Sequence, residues 1–227
     1  MPICGWSRSR IHSASLYPGS ADLVPSTTVS QRIFISRATG SISGVPRSHL
    51  PGKSPDRAIE IAERTGVKLK IAARVDEVDQ AYFEREIKAL LEHSSSVEFI
   101  GEINEQEEDE FLGNALALLF PIDWPEPFGL VWIEALACGT PIIAFRNGSV
   151  PEIVEHGRTG FIVDTPEEAA MAVQKIDSID RETCRAVFEE IFTAHRMARD
   201  YLAIYEKIEF DKAGEPNTRT QRFRRAA

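Results

Sequence analysis

The sequence predicts an α/β fold, a parallel sheet with helices on both of its faces. Three observations carry that prediction. Short apolar runs of strand length, such as Ala115–Phe120, lack polar alternation, as strands covered on both faces do. Segments with apolar residues at helical spacing alternate with those runs along most of the chain. Gly and Pro fall where the helices would start and stop.

Taken in order, Ser54 can cap a helix that has Pro55 in its first turn and runs to Arg64 before Gly66. Val67–Ala73 reads as a strand, Asp79–Glu92 as a helix and Val97–Ile100 as a short strand. Glu105–Leu112 reads as a helix with an acidic start. Its cluster of Glu105, Glu107, Glu108, Asp109 and Glu110 is expected to be a dipole-matched, solvated face rather than a metal site. The strand ending at Phe120 leads into a turn through Pro121, Pro125 and Pro127. Pro127 suits a first helical position, Phe128–Ala137 keeps helical spacing, and Gly139 stops the helix. A strand at Pro141–Phe145, a short helix at Val150–Glu155 and a strand at Gly160–Val163 follow. Helices at Pro166–Ile176, Arg181–Ile191 and Ala194–Lys207 complete the pattern.

The 227 residues divide into a poorly ordered segment 1–52, a folded domain 53–208 and a polar tail 209–227. The first segment is Ser-rich with scattered Arg and a single acid, Asp22; Gln31–Ser36 is its candidate for a lone strand. A net charge of -9 argues against nucleic acid as a partner, because such binding rests on neutralising phosphates. No apolar run is long enough to cross a bilayer. Cys4, Cys138 and Cys184 lack metal-ligand spacing and fit reduced thiols in the cytoplasm, with Cys138 buried rather than reactive. The five histidines form no cluster, and no His/Asp arrangement makes Ser149 a nucleophile.

The candidate site lies after the buried strand. The N–H groups of Phe128, Gly129, Leu130 and Val131 are expected to open a helix at the carboxyl edge of the sheet. Orphan donors and the helix dipole both favour an anion there. Glu126 and Glu134 bracket that spot with seven residues between them. Eight helical steps would span about 12 Å, enough to set a sugar near one glutamate and a ribose near the other. Each carboxylate can accept hydrogen bonds from neighbouring hydroxyls. Trp124 either walls that space or packs its loop. Arg74 either reaches a phosphate or pairs with Asp76 or Glu77.

Glu126-Pro-Phe-Gly-Leu followed by Glu134-Ala-Leu-Ala-Cys-Gly-Thr-Pro resembles the signature of retaining glycosyltransferases of family 4. The likeness continues through Gly148-Ser-Val-Pro-Glu152 and Gly157-x-x-Gly160-Phe-Ile-Val, and reaches back to Ala58-Ile-Glu-Ile-Ala62. It implies one Rossmann-like half of a GT-B architecture, the C-terminal half that binds a nucleotide sugar. By resemblance, Glu126 binds the donor sugar near its reacting face, with Phe128 and Gly129 beside it. Glu134 holds the ribose hydroxyls, and Lys53 contacts the diphosphate. The sequence departs from the pattern at Ser54, where the family more usually has Gly, and at Ser48, where a second cation is expected. The absence of Asp-x-Asp fits transfer without a metal or other cofactor.

The resemblance implies glycosyl transfer from a nucleoside-diphosphate sugar with retention. The first fifty residues are too few to form the family's acceptor domain. A separate chain carrying that domain is therefore the expected partner, and a truncated or frame-shifted gene the expected origin of the join before Gly52. The alternatives are a non-catalytic nucleotide-sugar-binding remnant or interaction module and, more distantly, a nucleotide-sugar epimerase.

Overall fold

The computed structural model describes residues 31–36, 42–45 and 54–214. Among them seven strands form one sheet: β1 (Gln31–Ser36), β2 (Ile42–Val45), β3 (Lys68–Ala72), β4 (Val97–Gly101), β5 (Ala117–Phe120), β6 (Ile142–Phe145) and β7 (Gly160–Val163). Their order is β4-β3-β1-β5-β6-β7, with β2 also paired to β1. β3 and β4 pair in parallel, as do β5, β6 and β7. β1 lies between these two blocks and runs antiparallel to both, Arg32 opposite Ala72 and Phe34 opposite Leu118. The strand expected at Gln31–Ser36 thus forms, but it is paired on both sides rather than alone.

The central parallel strands β5 and β6 are apolar because both of their faces are covered. Every residue of β5 and β6 is buried. On one side α1 (Pro55–Thr65) packs against α6 (Pro166–Lys175) and touches α2 (residues 80–93); elsewhere α3 (Glu105–Gly113) meets α4 (Leu130–Ala137). The expected helix at Asp79–Glu92 contains a π turn at Phe83–Ile87. The Phe83 ring in that turn lies 5.0 Å from Phe99 of β4. α5 (Val150–Ile153) is a single turn, and α7 (Arg181–Ile191) follows α6.

Helix ends follow local chemistry. α4 closes with Gly139 N–H donating to Leu136 O and Thr140 N–H to Ala135 O, the paired bonds of a Schellman motif. Asn104 and Glu107 cap α3 reciprocally, each side chain accepting from the other's amide. Glu107 and Glu110 lie on the solvated face expected for the acidic cluster, but Glu108 is buried. At the amino edge of the sheet, Arg181 donates to Ala115 O, Gly113 O and Thr140 Oγ1, and Thr140 donates to Leu112 O. Buried Cys184 has its thiol pushed up to about 12, mainly by burial. Cys138 is buried, as expected.

The chain divides into two units between Glu189 and Glu190. The second holds α8 (Ala194–Gly214), which runs seven residues past its expected end. No helix among the described residues is long and apolar enough to cross a membrane.

Ser54 departs from its expected role. It sits at the N-cap position of α1 but makes no side-chain cap bond, and its φ of 49° places it in the left-handed region. It is the one non-glycine residue with positive φ among the described residues. A side chain there costs energy because Cβ crowds the following carbonyl. Ser54→Gly should therefore stabilise the chain by about 1 kcal/mol, read as a raised urea midpoint at unchanged slope.

Candidate active site at the carboxyl edge of the sheet

The loop between β5 and α4 carries Glu126, with Glu134 inside α4, and the shape of that loop is set by the turn that follows β6. Ser149 donates both its backbone N–H and its hydroxyl to the carbonyl of Glu126, each at 3.0 Å. Asn147 Nδ2 donates to Ile122 O at 2.8 Å. Between them Gly148 has a φ of 52°, and a Cβ there would overlap the Glu126 backbone. The two loops therefore touch backbone to backbone at the carboxyl ends of β5 and β6. Ser149 is buried in this lock. Its part is positional, which the sequence alone did not reveal.

α4 begins later than its sequence suggests. The first helical residue is Leu130, and Gly129 precedes it with a φ of 72°. A side chain at Gly129 would lie 2.6 Å from the ring of Trp132. That ring is fully buried and meets Phe120 edge-on at 5.3 Å. The indole fills the space beneath the turn, so the backbone must pass through the left-handed region before the helix can start. Trp132 N–H is taken by Gly129 O at 3.1 Å. Helix geometry leaves the amides of Leu130 and Val131 outside the intrahelical ladder. The expected donor set at Phe128–Val131 thus contracts, with Phe128 and Gly129 lying outside the helix. Only Leu130 to Glu134 is helical, so the glutamates are not separated by eight helical steps.

Glu126 and Glu134 are both half-buried. Glu134 lies one turn beyond exposed Leu130 and so shares its open face. Phe128 and Trp124 are exposed beside them, and Val131 is buried. Lys53 lies outside the described residues. Arg74 pairs with Asp76 at 3.2 Å, one of the two readings of that residue. The start of α1 also reaches this edge. Arg57 pairs with Asp123 at 3.7 Å and lies 5.7 Å from the centre of the Phe145 ring. Tyr82 is near the same carboxylates. Burial first, then the charges of Asp56, Glu86, Asp123 and Asp79, push its phenol from 10.0 up to about 12.

Residues 48–188 match the family described as glycosyl transferases group 1. The chain belongs to that family. Among group 1 relatives it is similar to a probable sucrose-phosphate synthase of Thermosipho melanesiensis, at 42% identity over 86 residues, 36% of this chain and 20% of that protein. In structure it resembles the sucrose-phosphate synthase of Thermosynechococcus elongatus, with a TM-score of 0.62 and 25% identity over 70% of this chain and 43% of that one. Anabaena HepE, solved in complex with UDP-glucose, gives a TM-score of 0.62 at 20% identity over 70% of this chain and 46% of that one, and shows the fold alone. The chain thus spans less than half the length of each. Its fold is one Rossmann-like half of the GT-B architecture of these transferases.

Two outcomes follow from the geometry. Gly148→Ala combines strained φ with overlap onto a neighbouring backbone, and should destabilise the chain by about 2–4 kcal/mol in urea unfolding. The Tyr82 phenol has a folded pKa above its unfolded one, so its contribution to stability is complete below pH 10. That contribution is lost as pH rises toward about 12. Tyr82→Phe should remove a phenol that titrates at about 12 from an ultraviolet titration of the folded chain and flatten the stability loss across that window.

Proposed function

We infer that this chain binds a nucleoside-diphosphate sugar at the carboxyl edge of its sheet and forms the donor-binding half of a retaining glycosyltransferase. The observation that carries the reading is the placement of Glu126 and Glu134 on either side of the α4 start, within the region matched by the group 1 family. Carboxylates before and after open amides suit a ligand whose middle is anionic and whose ends carry hydroxyls. The diphosphate would rest against the Leu130 and Val131 amides and the Lys53 ammonium, with Phe128 and Gly129 lining the sugar beside Glu126. Glu134 would hold the ribose hydroxyls.

In this reading the departing diphosphate gathers negative charge in the transition state, and preorganised amides stabilise it. Glu126 orients the sugar at its reacting face and is the catalytic residue of this half. No metal takes part, which the absence of Asp-x-Asp supports. The acceptor is held by a partner domain outside the one described.

The test is calorimetric titration with UDP, GDP and ADP in buffer containing EDTA, repeated with Glu134→Ala. One of the three nucleotides should bind the wild-type chain, and the substitution should weaken it by about 1.5–3 kcal/mol, roughly 10- to 150-fold. A folded wild-type chain that binds none of them would leave a family relic without donor binding.

A further inference from the structure

Arg57 belongs to α1, yet both of its contacts lie across the top of the sheet. One is Asp123, in the loop after β5; the other is the buried ring of Phe145, the last residue of β6. As a stabilising ion pair the first contact is weak. Its N–O distance is 3.7 Å, and both side chains are more than a third exposed. Such pairs contribute little to folding. A guanidinium resting near an aromatic ring is different in kind, because the planar group is oriented by the ring while its edge donors stay available.

The position of the contact gives it consequence. Asp123 lies three residues before Glu126 in the same loop. Two side-chain ties on that loop, from Asn147 to Ile122 and from Ser149 to Glu126, come from the turn after β6. Neither reaches the segment between Ile122 and Glu126, where Asp123 and Trp124 are exposed. Arg57 supplies a tie to that segment from α1, against the strand end that carries the Asn147 turn.

We propose that Arg57 is a positioning residue for nucleotide-sugar binding, holding the Asp123–Glu126 segment against the end of β6 so that Glu126 is presented in place before the ligand arrives. The proposal rests on the donor-binding reading given above. Its energetic signature is a lowered ordering cost on binding rather than added fold stability.

The test uses the full chain and three variants: Arg57→Ala, Asp123→Asn and the double substitution. Each receives a urea midpoint, hydrogen exchange of residues 121–129 without ligand, and titration with whichever of UDP, GDP or ADP the wild type binds. Expected are faster exchange of the loop amides in all three, an affinity loss of about two- to tenfold in each single variant, and no further loss in the double. Midpoints should barely move. Unchanged loop exchange in Arg57→Ala would overturn the proposal, as would unchanged nucleotide affinity in both single variants. Loss on Arg57→Ala with a gain on Asp123→Asn would also overturn it, by showing that Arg57 meets the phosphate itself. If the wild type binds none of the nucleotides, the donor-binding reading fails instead; the exchange comparison then still reports whether Arg57 orders the loop.

Discussion

The carbonyl of Glu126, accepting twice from Ser149, is the contact on which the carboxyl edge depends. Residues 121–129 belong to neither strand nor helix, so their peptide groups have no ladder to enter. Buried or half-buried backbone in that condition must find partners elsewhere. Here the turn after β6 provides them, through one amide, one hydroxyl and one carboxamide. The price is a glycine at 148, since two backbones cannot meet so closely with a side chain between them. Glu126 is therefore held through its main chain.

The helix that follows is equally constrained. α4 has eight residues, too few to be stable by propensity, and is secured by burying Val131, Trp132, Ala135 and Leu136. Trp132 matters most, since it packs on Phe120 of the preceding strand and lies directly below the left-handed Gly129. The start of the helix is thereby fixed relative to the strand end. Open amides can serve an anion only if they do not wander, and the indole supplies that rigidity from beneath.

Much of this was legible in the sequence, for definite reasons. The continuous apolar runs of β5 and β6 could only be covered strands, and Gly66 and Gly139 marked helix ends by the conformation they permit. The paired glutamates around Gly129 mark the candidate site in the sequence. What escaped notice depends on tertiary contact. Pro127 looked like a helix start, but the ring of Trp132 forces the chain through one more turn before helical geometry begins. Ser54 looked like a cap by residue type, whereas its backbone occupies a conformation in which the hydroxyl caps nothing. The antiparallel insertion of β1 had no local signature, because strand direction is decided by neighbours remote in sequence. The same holds for Arg57, whose partners lie 66 and 88 positions away.

The Arg181 network has a bearing on how the molecule breathes. Its guanidinium joins the end of α3, the start of β5 and the residue after the α4 turn, spanning 41 to 68 positions of sequence. These bonds lie at the amino edge of the sheet, opposite the loops of the candidate site, and Thr140 within them is completely buried. Long-range bonds around a buried hydroxyl open only when the elements they join separate, so that edge should exchange its protons more slowly than the exposed loops. The exposed parts of the loop at 121–129 can open without disturbing them. The sheet thus acts as a hinge plate with one edge bolted and the other left able to adjust, and substitutions that retune the ligand edge need not weaken the bolts.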